Sequence, residues 1–373
     1  MSEAVLTKHS APFARRDSAK GRVDGDRSFL ARFVIALLGL AFAVTFLFSL
    51  TAGASDASVV SVIGTLFQAG NSGTDALSAR DSIIIYDIRL PRVILGSLIG
   101  ASLAVSGAVM QGLFRNPLAD PGIVGVSSGA GLGALSIIVL GNSLFAPIIA
   151  FLGLYALPFA AFSTALAFTL ILYAIATRRG QTSIATMLLA GIALGAMATA
   201  YMGVLTYIAD DRQLRDLTFW LLGSLAGASW MKIAATTPFI VIALLVSPFL
   251  ARGLNGLALG EATASHLGIP VQRFKIIAII AVAAATGASV AVSGVIGFVG
   301  VVVPHLLRLV IGPDHRYLLP ASALLGASLL LLADAVSRTI VAPAELPIGI
   351  VTAAVGAPVF LWILLRKRGI LDL

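Results

Sequence analysis

Gly100–Gly107 reads GASLAVSG and Gly287–Gly294 reads GASVAVSG, seven identities in eight positions at an offset of 187 residues, half the chain. Both copies lie inside apolar runs. A bilayer's hydrocarbon core takes about 20 apolar residues per helix. Ten runs approach that length, at roughly 31–53, 92–113, 122–141, 150–176, 183–207, 232–251, 273–293, 296–311, 318–336 and 347–365. The first copy falls in the second run and the second copy in the seventh. Segments five crossings apart point in opposite directions, so the pattern reads as an inverted repeat of two half-bundles, about 90–207 and 272–366. Chance likeness between two small-residue helices is the competing reading, since Gly, Ala, Ser and Val abound here.

Composition fixes the solvent. The 373 residues are 58% hydrophobic and 11% charged, with mean hydropathy +1.01. Soluble domains carry about 25% charged residues, so the expected class is all-α integral membrane. No cysteine is present, which excludes a disulfide framework, thiolate metal sites and cysteine catalysis. The four histidines, His9, His266, His305 and His315, form no close-spaced ligand pair. No resident metal or cofactor is expected. Net charge is +8, but the cations sit in short loops between apolar runs, so topology explains them and nucleic acid is not an expected partner. Residues 1–28 read as a disordered cytoplasmic tail, followed by one membrane domain over 29–373.

With the N-terminus inside, eighteen Lys/Arg fall in inner loops and seven in outer loops. That excess places both termini in the cytoplasm of an inner membrane. Two further apolar stretches, 58–68 and 214–229, are too short or interrupted to span and read as helices at the outer surface. Pro147 and Pro158 leave 141–160 ambiguous, and Pro304 is expected to break the eighth helix into a re-entrant segment. No phosphate-binding G-x-x-x-x-G-K-[ST] occurs, and Asp334, near an outer end, is the one acidic residue close to a helix interior. An ion-driven carrier, the rival class, needs intramembrane titratable groups. Their scarcity indicates that another subunit supplies the energy.

Several stretches carry a specific resemblance. They are RLPRVILGSLIGASLAVSGAVMQGLFRNPLADPGIVGVSSGAGLG (89–133), LLAGIALG (188–195), FWLLGSLAGASW (219–230), GEATASHLGI (260–269), SGVIGFVGVVVPHLLRLVIGPDHR (293–316) and APAELPIGIVTAAVGAPVFLWILLRK (342–367). In this order they resemble the iron-siderophore, haem and cobalamin permeases of ABC importers, from about residue 30 to the end. The resemblance implies a type II importer fold: a homodimer of ten-helix subunits around a shared cavity. It also implies two cytoplasmic ATPase subunits, which hold ATP and Mg, and a periplasmic binding protein. The chain itself is then no enzyme. GEATASHLG, VIGPDHRYLLPASALLG and IVAPAELPIG look most like the haem branch, ahead of siderophores and cobalamin.

The candidate site residues follow. In the 252–272 loop, GEATASHLG places Thr263, Ala264 and Leu267 on one face of a short helix, and an ordinary loop helix would look the same. The resemblance makes it the ATPase-coupling helix, with Glu261, Ala264, His266, Leu267 and Gly268 at the interface. Arg89, Arg92 and Arg338 are outer-face cations against the sign rule. Snorkelling explains them blandly, whereas the resemblance makes them docking residues for the binding protein. FRNPLADPG (114–122) is a turn, and the resemblance makes Asn116 and Leu118 part of the cytoplasmic gate, together with Thr182 and Ser183. Ser183 also suits an N-cap. Met187, Gly191, Gly195, Ala198 and Met202 form a stripe on the fifth helix. Such a stripe suits packing, and the resemblance makes it the translocation path.

Overall fold

The computed structural model describes residues 27–52, 83–178 and 181–366. The expected surface helix at 58–68 and nearly all of the 1–28 tail lie outside the described residues. The helices are α1 (Ser28–Thr51), α2 (Leu90–Phe114, entered through a π-helical turn Ile83–Arg89), α3 (Val126–Leu140) and α4 (Ala146–Leu152). Then come α5 (Ala156–Ala176), α6 (Ile184–Ile208), α7 (Asp211–Leu222), α8 (Trp230–Ala258) and α9 (Glu261–His266). The chain continues through α10 (Val271–Ser293), α11 (Val299–Ile311), α12 (His315–Thr339) and α13 (Ile348–Arg366). A two-residue pair of strands, β1 (Thr177–Arg178) and β2 (Gln181–Thr182), joins α5 to α6.

Each of the ten expected runs contains a helix. Seven helical segments are long and apolar enough to cross a membrane, and three apolar ones are shorter: Val126–Leu140, Val299–Ile311 and Ile348–Trp362. The shortfall has a visible cause for α3. At 1.5 Å per residue its 15 residues rise only about 22 Å. The chain before it, turning at Pro121–Val124, packs against α2, α3, α5, α6 and α10 rather than lying outside the bundle. Asp120 caps that turn, its Oδ1 accepting the Gly122 N–H at 2.7 Å.

α2, α10 and α12 are buried on most sides, whereas α1, α6 and α8 turn most of their residues outward. The central helices are close because their contacts are glycine. Gly100 of α2 meets the Gly326 carbonyl of α12, and Gly107 meets the Gly300 backbone of α11, so a Cβ at either position has no room. Between lipid-soluble helices, this close approach replaces the hydrophobic drive that water would supply. Ser289 Oγ donates to Ser102 Oγ at 3.1 Å, across α10 and α2. These serines occupy the same place in the two copies of the repeated octapeptide.

Local chemistry sets the ends. Ser183, Ser229 and Asp314 cap α6, α8 and α12, and Asp210 with Gln213 forms a full capping box on α7. The expected segment at 214–229 is therefore helical only to Leu222, stopping at Gly223, whose φ of +72° suits glycine. Pro147 sits in the first turn of α4, where its missing N–H costs nothing, and α5 begins at Ala156 before Pro158. The expected break at Pro304 is not found. α11 runs through it, and the irregular backbone lies upstream at 294–298, where Gly294 and Phe298 have φ of +70° and +68°. α8 continues past the expected 251 to Ala258, because Gly253 packs on Phe274 and Gly256 on Ile269. Most of the inner loop expected at 252–272 is consequently helix.

Candidate functional site

At the end of the bundle where α1 finishes, the structure gathers charge. Asp334 on α12 is fully buried. Arg92 on α2 reaches it with Nε at 2.9 Å and Nη2 at 2.8 Å, both to Oδ1, and Arg338, one turn on, brings Nε to 3.0 Å of Oδ2. Arg92 Nη1 also holds Glu345 Oε1 at 2.9 Å. The remaining donors close the end of α1. Arg338 donates to the carbonyls of Ala52 and Ser49 at 2.7 and 3.1 Å, and Arg89 to those of Leu50 and Thr51 at 2.8 and 3.1 Å. The last carbonyls of a helix lack partners and carry partial negative charge, so arginines belong there.

This corrects the expected exposed rim. Arg89, Arg92 and Arg338 are 4, 5 and 7% exposed, inside the subunit. Snorkelling into water does not describe them in this chain, since their guanidinium groups are held by buried protein acceptors. The reason is Asp334, a charge that burial makes expensive without close counter-charges. One sequence sign was available, an acid four residues before an arginine on an apolar helix. Its pairing with Arg92, 242 residues away, was not.

At the opposite end, candidates that the sequence kept apart meet. Lys275, buried one turn into α10, binds Glu261 Oε1 at 2.8 Å and the Thr182 carbonyl at 3.4 Å. Gln272 Oε1 accepts from the Thr182 N–H at 3.3 Å and from its hydroxyl at 3.2 Å. Ser183 Oγ accepts the Thr186 N–H at 3.3 Å, so its capping role is realised. A cavity of about 670 Å³ opens here, lined by Arg178, Thr182, Ser183, Thr186, Glu261 and Gln272 among others. Asn116 and Leu118 are exposed and do not line it. Asn116 Oδ1 accepts the Leu118 N–H at 3.0 Å after Arg115 turns left-handed at φ +50°. Sequence reasoning used Lys275 only as a topology charge and passed over Gln272.

The coupling candidates divide. α9 is a single short helix, as expected, but Ala264 is turned fully inward beside Gly256 of α8. His266, Leu267 and Gly268 are exposed, the last at φ +81°. The expected common apolar face of Ala264 and Leu267 is thus not presented outward, because Ala264 turns into the bundle, where Ile269 fills the space beside Gly256.

On α6 the expected path stripe faces inward too. Met187 and Ala198 are buried, Gly195 lies near Ser128, and Met202 packs on Gly131, both of α3. Gly191 is half-buried. The stripe is a packing face, as small residues at helical spacing favour. The outward face is a different one: Leu189, Ile192, Met197, Val204 and Tyr207, spaced by three to seven residues. No charged residue occurs along α6.

Comparison with known proteins identifies this bundle of apolar helices. The FecCD transport family model matches residues 41–366. The chain belongs to the FecCD transport family. Its relatives include the hemin transport system permease protein HmuU of Yersinia pestis, 46% identical over 285 residues, 76% of this chain and 84% of HmuU. The vitamin B12 import system permease protein BtuC of Salmonella paratyphi A is 46% identical over 297 residues, 79% of this chain and 87% of BtuC. A solved structure described as an inward-facing conformation of a metal-chelate type ABC transporter superposes with TM-score 0.75 at 31% identity, covering 90% of this chain and 99% of that one. This FecCD protein is a multi-pass membrane permease of an ABC importer.

Proposed function

We propose that this permease carries haem, as one of two identical ten-helix subunits served by two ATPase subunits and a periplasmic binding protein. The observation that carries the cargo reading is the outward face of α6, with Leu189, Ile192, Met197, Val204 and Tyr207 exposed and no charge along the helix. A second copy placed against it encloses an apolar wall. Such a wall suits a flat macrocycle and offers few partners to a cargo edged with amides. Loose apolar contact also lets cargo leave. In this reading the iron travels within its chelate, as cargo.

The mechanism follows from the opposite end. The short α9 offers His266 and Leu267 to an ATPase groove. Glu261 on the same helix is tied through Lys275 to the carbonyl of Thr182, beside the first turn of α6. A tilt of α9 therefore pulls on the strand that leads into the path helix. Thr182 and Ser183 then gate the inner mouth with Asn116 and Leu118 of the two copies, both termini lying in the cytoplasm of an inner membrane. In this scheme Arg89, Arg92 and Arg338 support docking by holding the outer ends of α1, α2 and α12 in place.

The test is reconstitution with the cognate ATPase and binding protein in lipid vesicles. Haem-loaded binding protein should stimulate ATP hydrolysis and deliver haem. Stimulation by cobalamin-loaded or siderophore-loaded protein with none by haem overturns the cargo reading. Hydrolysis by the permease alone overturns the division of labour.

A further inference from the structure

Where α1 begins, the last turn of α11, the turn at Gly312 and Pro313, and the first turn of α12 surround a second cavity, about 360 Å³ in volume. Arg27, Arg308 and Arg316 line it, with Asp314 as the one acidic lining residue. Asp314 is already engaged. Arg316 holds it with Nη2 at 2.6 Å and Nε at 2.9 Å, and Asn255 Nδ2 donates to it at 2.8 Å. Among the described residues no carboxylate pairs with Arg308. Its Nε and Nη2 are shut off from solvent and have no hydrogen-bond partner among the described residues. Arg27 lies across the turn, its Cδ 3.7 Å from where a Cβ on Gly312 would stand.

Three guanidinium groups around one engaged carboxylate leave the cavity with net positive charge, which an anion entering it offsets. The fork of arginine donors suits phosphate oxygens. We propose that this cavity binds the phosphate headgroup of an anionic phospholipid, with Arg308 and Arg27 as its ligands. The surroundings select lipid over a soluble anion. Leu309 and Val310, next to Arg308, are half-exposed, as are Phe29 and Phe33 near Arg27. Exposed apolar side chains of the kind that acyl chains cover therefore neighbour the cavity's arginines along the chain, and basic pockets between helices suit anionic headgroups.

Native mass spectrometry of the full-length chain tests the site, with phosphatidylglycerol and phosphatidylcholine offered in equal amounts. The native chain should retain phosphatidylglycerol in preference. Losing one charged hydrogen-bonding group should weaken that retention about tenfold in Arg308→Gln and in Arg27→Gln. Arg308→Lys should recover part of it. Arg27 sits in an exposed first turn, so its variant reports even where Arg308→Gln fails to fold. Equal retention of the two lipids, or undiminished phosphatidylglycerol retention in Arg27→Gln, overturns the site. Inorganic phosphate raising the melting temperature of detergent-purified chain, without any phosphatidylglycerol preference, overturns the lipid as occupant.

Discussion

Replacing Asp334 with Asn tests whether the outer arginines are structural. The carboxylate is fully buried and accepts from Arg92 at 2.9 Å and Arg338 at 3.0 Å. Asn keeps the shape and one acceptor but leaves two guanidinium groups facing each other around a neutral amide. Removing one partner of a buried ion pair costs about 3–5 kcal/mol. At roughly 2–4 °C per kcal/mol for a chain above 150 residues, the melting temperature in detergent should fall on the order of 10 °C. Added salt should not reproduce the loss, because screening acts weakly on a buried pair. Arg92→Met combined with Asp334→Leu should cost less than the two single changes summed, by about 0.5–3 kcal/mol of coupling. A melting temperature unchanged in Asp334→Asn, with additive effects in the pair, would refute the reasoning. An Arg92 variant that lost binding-protein association at unaltered stability would return that residue to docking.

Three other outcomes are expected. Lys275→Met should leave basal ATP hydrolysis by the reconstituted complex in place while reducing its stimulation by loaded binding protein, since the Glu261–Thr182 link is cut; unchanged stimulation would count against that link. Ala264→Leu should destabilise the permease itself by about 1–3 kcal/mol, because Ala264 is fully buried and a larger side chain overpacks its surroundings, and a melting curve like the native one would show that the packing there is looser than it looks. The third concerns acid. Partial burial pushes the Asp314 carboxyl up, but hydrogen bonds from Arg316 and Asn255 outweigh it and bring the pKa from 3.8 down to about 2. A depressed carboxylate contributes stability that is present above its unfolded pKa, near 4, and lost as pH falls towards 2. Asp314→Asn should therefore flatten the melting temperature between about pH 4 and pH 2, and an unaltered pH profile would contradict the assignment.

The membrane class and the places of the ten apolar helices were determined by the sequence itself, because a bilayer forces every spanning segment to be a long apolar helix and leaves few alternatives. The octapeptide repeat was equally legible, and it marks the two helices whose Ser102 and Ser289 touch. The Ser183 cap was local and therefore readable, whereas the equally local Asp210–Gln213 box was passed over. What each polar residue faces was not. A charge near a helix end looks like surface charge until its partner is known, and Asp334 reaches Arg92 across 242 residues. On α6, composition alone does not say which stripe packs, since both faces are apolar; only the neighbouring α3 with its glycine at 131 turns Met202 inward and leaves Tyr207 out. Likewise Ala264 is inward only because α9 folds back against α8, and Lys275 becomes a link only because α9, β2 and α10 converge. Lipid selects segments by hydrophobicity, which one chain read in order reveals. Pairing of charges and choice of face depend on which segments become neighbours, and that is a property of the folded bundle.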